Sequence, residues 1–215
     1  LWHGFIQDIS ERKRTEQAVN LMVGLQKQIA LLSNLEDIYR FVGEKIQELV
    51  DDCYTGASIF DEKLQAMRII GLYGLGRRYN NLVHRSKFDP YNIIYPLADM
   101  TPEEIRTYRS GHLETFEGGL YAILARKIPK KLCEAVEKQL KITTIYTMGF
   151  VWDNQHFGGL TILAKKDITP YRELIETIMN QAAIVIKRVK AEDALRDSEE
   201  KMRLFIEHAP ASLAM

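Results

Sequence analysis

The sequence predicts an α+β fold: a central antiparallel sheet of five to six strands, with helices on both faces and long helices at both ends. Three observations support this prediction. Short β-rich runs occur in pairs around turn residues, which is typical of antiparallel hairpins. Helical stretches with capping signals separate those pairs. At both ends of the chain, apolar residues recur at alternating steps of three and four, as in long amphipathic helices.

The composition indicates a soluble globular protein of 215 residues, with 46% hydrophobic and 27% charged residues. The balance of 29 basic against 29 acidic residues argues against a nucleic-acid partner, which would favour a basic excess. Two cysteines, Cys53 and Cys133, are too few for a secreted disulfide scaffold. No apolar run is long enough for a membrane span, and no leader is present. We therefore expect a cytoplasmic segment without a membrane span, belonging to a longer protein.

The first part of the chain predicts two helices. From Thr15 to about Leu32 a heptad-like seam is formed by Ala18, Met22, Leu25, Ile29 and Leu32. After a break at Ser33 and Asn34, a second helix has one apolar face, made of Leu35, Ile38, Val42, Ile46 and Leu49.

The middle of the chain alternates between short strands and helices. Two β-rich runs flank the turn at residues 61–63, and a short strand precedes Pro96. Thr101 as cap and Pro102 at the first helical position predict a helix that ends at Gly111. The stretch "HLETF" predicts another short strand. Residues 119–140 predict helix with a break near Pro129.

The last part of the chain predicts a hairpin and a long helix. In "TTIYTMGFVWDNQHFGGLTILAKK", two β-rich runs flank a turn at residues 153–155. A helical pattern of some 35 residues follows and ends before Pro210. Its apolar positions again step by three and four, at Ile175, Ile178, Ala182, Val185 and Val189. Seams at both ends predict parallel packing of these helices in a homodimer.

Both ends of the sequence resemble parts of PAS domains. "GFIQDISERKR" near the start is similar to the closing strand and linker helix of a PAS domain, with Gly4 and residues 8–14 as the matching positions. "ALRDSEEKMRLFIEHAP" near the end resembles the start of a further PAS domain. The resemblance implies that residues 1–14 end one PAS domain and that residues 191–215 form a linker helix and begin another.

Residues 15–190 resemble a GAF domain. The matching stretches are "GASIFDEKLQAMRIIGLYGL" as a first hairpin, "FVWDNQHFGGLTIL" as the last central strand pair with Gly159 at the family's glycine position, and "ELIETIMNQAAIVIKRVKAE" as the closing helix. A proline common in the family before the hairpin turn is replaced by Gly149. The resemblance implies a sensory module, typically in a histidine kinase with PAS neighbours, whose ligand contacts lie in the middle, residues 77–142.

Several reactive patterns favour no particular chemistry. "GLYGLGRRY" could hold an anion through backbone amides, Arg77 and Arg78, but it lacks the lysine and Ser/Thr of a nucleotide loop. His112 and Glu114 could bind a metal together with His84 or Asp89. A haem could use His84, His112 or His156, although His156 follows a turn and is expected in solvent.

Neither cysteine has a neighbouring Cys or His, so a redox pair or nucleophile is not indicated. We predict no catalytic site.

Some ligand signatures of GAF domains are missing from this sequence. The Cys-His dipeptide used by bilin-binding relatives does not occur, and the two cysteines do not fit the free methionine sulfoxide reductase branch. The cyclic-nucleotide motif is represented only by the fragment "SKFDP" at 86–90.

An excess of aromatic residues marks the less regular middle as a candidate ligand site. The candidates are Phe88, Tyr91, Tyr95, Phe116, Tyr121, Tyr146, Met148, Phe150 and Trp152. The last four alternate along one strand and so share one face. They can be plain core, or they can line a cavity between that face and the helices of residues 101–140, where tyrosine hydroxyls would orient a small ligand.

Three hypotheses about function follow. The first is a sensory module that binds an unknown small molecule and relays its state through dimeric flanking helices to PAS and kinase domains. The second is a structural dimerisation spacer with a filled core. The third is a redox sensor loaded with haem or metal.

Overall fold

The computed structural model describes residues 23–76 and 88–208, which form one antiparallel sheet of six strands with helices on both faces. The strands are β1 (Cys53–Asp61), β2 (Ala66–Tyr73), β3 (Ile94–Pro96), β4 (Glu114–Thr115), β5 (Thr144–Trp152) and β6 (Gln155–Ala164). Their order in the sheet is β3-β2-β1-β6-β5-β4. Every neighbouring pair is antiparallel. The predicted fold class is confirmed.

Six helices accompany the sheet in the described part of the chain. They are α1 (23–30), α2 (Leu35–Leu49), α3 (Pro102–Arg109), α4 (Gly119–Ile123), α5 (Lys130–Leu140) and α6 (Arg172–His208). Short 3-10 turns lie at Pro90–Asn92, Leu97–Asp99 and Thr169–Tyr171. The break predicted near Pro129 separates α4 from α5.

One face of the sheet packs against α1, α2 and the first half of α6. Tyr39 of α2 and Phe150 of β5 meet edge to face with ring centroids 5.0 Å apart, and both are completely buried. The Tyr39 hydroxyl donates to the Phe157 carbonyl at 3.0 Å, so its one polar group is satisfied inside this core. We call this side the helical core.

The other face is covered by α3, α4, α5 and the segment before them. This second core includes Tyr54, Phe60 and Met67 from the sheet together with Tyr108 of α3 and Leu120 of α4. We call it the ligand-side core, because a cavity lies within it. The two cores are separated by the sheet, so β1, β5 and β6 are buried on both faces.

Local signals explain why the elements begin and end where they do. Thr101 accepts from the N–H of Glu104, whose carboxylate accepts from the N–H of Thr101, which completes the capping box that starts α3. The helix ends at Arg109, two residues before the predicted stop at Gly111. Asp153 and Asn154 both have positive φ, as a two-residue turn between β5 and β6 requires.

The predicted helix seams are placed differently from the expectation. Ile175, Ile178, Ala182, Val185 and Val189 are buried inside the helical core, at most 8% exposed. Ile29 is also buried there, and Leu25 and Leu32 pack against it. These stripes therefore face the sheet and neighbouring helices of the same chain. The predicted homodimer through the terminal helices stays a prediction. Ala18 and Met22 lie outside the described residues.

Several other expectations fall outside the described residues as well. These are the PAS-like segment at 1–14, Arg77, Arg78, His84, the first two residues of "SKFDP", and the end of the second PAS-like segment from 209 on. Within the described ranges, no helix combines the length and the apolar character that a membrane span needs.

Candidate ligand cavity

Two adjoining cavities lie in the ligand-side core, between the sheet and the helices α3 to α5. The larger has a volume of about 130 Å³ and the smaller about 60 Å³. Five residues line both: Ile69, Leu72, Leu120, Leu124 and Leu163. The two cavities therefore form one site with two lobes, which we call the larger and the smaller lobe.

The larger lobe is apolar. Besides the shared residues, it is lined by Leu75, Phe88, Pro90, Ile128, Leu132, Cys133, Val136 and Leu140. The thiol of Cys133 is the only heteroatom that a side chain of the described lining contributes. Such a wall attracts hydrocarbon and offers a charged group no partner.

The smaller lobe carries hydroxyl groups. Its further lining is Gly56, Ser58, Met67, Tyr95, Tyr108, Ile123 and Thr161. Three of the four hydroxyls already donate inside the protein: Ser58 to the Gly159 carbonyl at 3.2 Å, Tyr108 to the Ile123 carbonyl at 3.2 Å and Tyr95 to the Pro90 carbonyl at 3.0 Å. The fourth, that of Thr161, forms a hydrogen bond with the Tyr108 side chain. The protons of Ser58, Tyr95 and Tyr108 are therefore engaged.

Polar contacts outside the lobes hold the covering helices in place. The Glu137 carboxylate on α5 accepts a hydrogen bond from the N–H of Leu120 on α4. Arg126, in the left-handed region at φ 60°, donates to both carboxylate oxygens of Glu104, at 2.7 and 3.0 Å. Helices α3, α4 and α5 are thus joined by charged groups at the rim, and the interior remains apolar.

Two of the nine aromatic and apolar candidates line the cavity. Phe88 contributes to the larger lobe and Tyr95 to the smaller one. Tyr91 supports the wall, because its hydroxyl accepts from the N–H of Leu72 at 2.9 Å. Phe116 and Tyr121 pack in the ligand-side core without lining either lobe.

The remaining four candidates do not face the cavity. Tyr146, Met148 and Phe150 belong to the helical core, on the opposite side of the sheet from residues 101–140. Their predicted placement is therefore wrong. Trp152, at the end of β5, is 41% exposed.

A glycine explains why the aromatic face of β5 turns away from α3. On the face toward α3, Gly149 lies so close to the helix that a Cβ there would stand 2.5 Å from the Tyr108 carbonyl oxygen. Only small side chains allow this approach, so the large ones occupy the other face. The strand is buried on both faces, and alternation alone could not reveal which face turns toward the ligand-side core.

The sequence pattern does not identify most of the lining. It predicts helices, without a ligand role, for Leu120, Leu124, Leu132 and Val136. Their spacing of four along α4 and α5 marks an apolar face, but it does not distinguish a filled core from a cavity.

None of the histidines that the structure describes lines the cavity. His112 is 77% exposed, and its Nδ1 lies 3.5 Å from Glu176. Glu114 pairs with Arg106 at 3.2 Å. The two residues therefore turn to different partners, and no group of three or more metal-ligating side chains occurs within 23–76 and 88–208. A lobe of about 130 Å³ is also well below the ordinary range of cofactor pockets.

His156 is partly buried, with both ring nitrogens enclosed, contrary to the expectation that it is in solvent. Its ring lies 5.1 Å from that of Phe60, and neither ring nitrogen makes a hydrogen bond with good geometry. Burial, reinforced by the charge of Arg109, lowers the pKa of His156 to about 4. The side chain is a neutral packing group at neutral pH.

Both cysteines are buried and unpaired. Burial raises the pKa of the Cys133 thiol and that of the Cys53 thiol to about 11. Neither is an activated nucleophile, because the thiolate is the reactive form.

Comparison with solved structures identifies the fold. The chromophore-binding domain of a bacteriophytochrome from R. palustris superposes with a TM-score of 0.57 at 10% sequence identity. The match covers 83% of this chain and 63% of that one. A GAF domain/HD domain protein from Geobacter sulfurreducens gives 0.55 at 11% identity, covering 76% of this chain and 98% of the other. The GAF domain of an Acinetobacter phosphoenolpyruvate-protein phosphotransferase gives a TM-score of 0.54 at 12% identity, and the match covers 83% of this chain and 98% of that domain.

The chain therefore has the GAF fold, as its sequence predicted. No family model matches the sequence, and no curated protein sequence matches it significantly.

Proposed function

We propose that this chain is a sensory module of a signal-transduction protein, which binds a small molecule in the cavity and relays its presence to α6. The observation that carries this proposal is a segment that runs around the edge of the sheet. Residues 110–116, the edge segment, connect α3 on the ligand side with α6 on the opposite side.

The edge segment makes two hydrogen bonds to α6 through the backbone of Leu113. The N–H of Leu113 donates to the Glu176 carboxylate at 2.9 Å, and its carbonyl accepts from the Arg172 guanidinium. The Leu113 side chain is fully buried in the helical core. Movement of this residue must therefore disturb the first turns of α6.

The same segment contacts the ligand side. Phe116 packs edge to face against Tyr108, with ring centroids 5.7 Å apart, and Tyr108 lines the smaller lobe. A ligand that shifts α3 thus acts on a short chain of packed groups that ends at Glu176 and Arg172. Two alternative arrangements of these groups, with different ligand affinity, would constitute the relay.

The far half of α6 supports dimeric output. From residue 191 to 208 the helix is almost entirely exposed. Leu195, Met202, Phe205 and Ile206 share one side of it and are 61–72% exposed. A second copy of the chain packed in parallel would cover this stripe. In the full protein, this helix would continue toward PAS and kinase domains in the cytoplasm, as the resemblance of its sequence implies.

Hydrogen exchange tests the relay without a ligand. The substitution Val136→Phe fills the larger lobe from α5, and we expect it to change amide exchange at residues 173–180. In the Glu176→Ala background that response should weaken, because one of the two hydrogen bonds that join Leu113 to α6 is lost. In the Glu173→Ala background, one turn away on an exposed position, it should persist. An unchanged α6 in all three proteins would favour the structural spacer instead.

Sedimentation tests the dimer. Met202→Glu introduces a charge on the exposed stripe, so we expect dissociation at tens of micromolar protein. Leu204→Glu is the matched control, since Leu204 lies on the opposite side of the same turn and is 43% exposed. A monomeric parent protein, or equal effects of both variants, would contradict dimerisation through this stripe.

A further inference from the structure

We infer that the cavity selects an uncharged, predominantly apolar molecule about the size of a substituted benzene ring, and that it rejects anions of the same size. This inference rests on the proposed function, because it names the class of molecule that the sensory site would bind. It excludes nucleotides and other phosphate-bearing ligands from this site.

The size limit follows from the two lobes. A dry protein cavity of about 150 Å³ lined by Leu, Ile and Phe is large enough to bind benzene. The larger lobe, at about 130 Å³, matches that capacity, and the adjoining lobe adds about 60 Å³. A ring with one short substituent fills this space, whereas a drug-sized ligand needs several times more.

The charge preference follows from the lining. Across both lobes, the lining in the described ranges contains no lysine, arginine, histidine or carboxylate. Two cations at the rim are committed to carboxylates: Arg126 to Glu104, and Lys127 to Asp99 at 2.5 Å. An anion entering the lobes would lose its hydration and meet no counter-charge from the lining that the structure describes.

The hydroxyls of the smaller lobe refine the class. The protons of Ser58, Tyr95 and Tyr108 are directed to backbone carbonyls, so these hydroxyls do not donate to an anion in the lobe. A ligand with one neutral donor, such as an alcohol, can use the oxygen of Ser58 as an acceptor. A carboxylate has no proton to donate.

Benzyl alcohol and benzoate form a matched pair of probes, equal in size and different in charge. We expect benzyl alcohol to bind the full chain at least about 100-fold more tightly than benzoate at pH 7.5, measured by calorimetry, since burying an unpaired charge costs several kcal/mol. Val136→Phe should abolish the binding of benzyl alcohol. Val185→Leu, a small change in the other core, should leave binding intact.

The two cysteines provide an independent readout of location. Cys133 lines the larger lobe, whereas Cys53 lies in the helical core and lines neither lobe. Benzyl alcohol should slow the alkylation of Cys133 several-fold and leave that of Cys53 unchanged. Equal protection of both thiols would indicate a general stabilisation and would overturn the assignment to this cavity.

The outcomes separate this inference from the proposed function. Tighter binding of benzoate, or binding of neither probe, overturns the ligand class. The exchange response of α6 to Val136→Phe requires no ligand, so it decides the relay on its own. If α6 responds to Val136→Phe and benzoate binds more tightly than benzyl alcohol, the sensory function stands. The inference of a neutral ligand is then wrong, and the ligand is an anion.

Discussion

Gly149 of β5 lies directly beneath the end of α3, where its N–H donates to the Ser110 carbonyl at 2.8 Å. A Cβ at this position would stand 2.5 Å from the carbonyl oxygen of Tyr108 and 3.0 Å from that of Ser110. Both neighbours are backbone atoms, so the clash cannot be relieved by a side-chain rotation. This glycine fixes the distance between the sheet and the helix that covers the smaller lobe.

Gly149→Ala is therefore expected to lower the free energy of unfolding by about 1–3 kcal/mol, in the range for overpacked cores. Urea denaturation measures the change. Gly24→Ala is the matched control, because a Cβ at Gly24 meets nothing within 4 Å and alanine favours helix. An equal effect of the two substitutions would refute the close approach of α3 to β5.

The pair of Glu104 and Arg126 predicts a loss of stability in acid. Burial alone would raise the pKa of Glu104, but hydrogen bonds from Arg126 and the Thr101 N–H, with the charge of Arg126, lower it overall. The stabilisation is present above the unfolded pKa of about 4.3 and is lost as the pH falls through the lower folded pKa.

Glu104→Gln should reduce the stability at pH 7 by about 1–2 kcal/mol and flatten its pH dependence below pH 4.5. Glutamine retains the capping box, so the difference reports the charged pair. Thermal unfolding followed from pH 7 to pH 3 compares the two proteins. Parallel curves would mean that the ion pair contributes nothing.

His156 predicts a second pH dependence, at higher pH. Its pKa is about 4 in the folded protein against an ordinary 6.5. Between these values the unfolded chain binds the proton and the folded one does not, so stability falls as the pH drops from 6.5 toward 4. The slope is at most about 1.4 kcal/mol per pH unit.

His156→Phe should remove that slope between pH 6.5 and pH 5, since phenylalanine can pack against Phe60 without titrating. Chemical denaturation at half-unit pH steps resolves the difference. A slope that survives in His156→Phe would show that another group is responsible.

Met148 and Trp152 test which part of the aromatic stripe of β5 is core. Met148→Ala should destabilise by about 2–5 kcal/mol, because the side chain is 1% exposed in the helical core. Trp152→Ala should cost less than about 1 kcal/mol, because Trp152 is 41% exposed. Similar losses in urea denaturation would contradict the different environments of these two residues.

The elements could be predicted from local chemistry, and the site could not. Thr101 and Pro102 predicted the start of α3, and the turn at Asp153 predicted the hairpin, because caps and turns depend on adjacent residues. Which face of β5 turns toward the ligand-side core depends on Gly149 meeting a helix some forty residues earlier. The burial of His156 likewise depends on Phe60, at the end of a distant strand.

The same reasoning explains why the spacing of the helix stripes could not identify what covers them. A spacing of three and four predicts which side of α6 is buried, but it does not identify the surface that buries it. Ile175 and Val189 are covered by their own sheet and by α2. The stripe that a partner could reach begins after residue 190, where polar residues interrupt the apolar pattern.

Helix α6 is continuous from Arg172 to His208, and its two halves have different surroundings. The first half is embedded, and the second projects about 28 Å beyond residue 189. If the embedded half tilts, the exposed half therefore moves with it about a pivot near Val189. By this geometry and the same helical rise, a tilt of about 4° at the embedded end displaces the distal tip by about 2 Å. A displacement too small to break any contact near Leu113 is thereby magnified at the distal end of the helix.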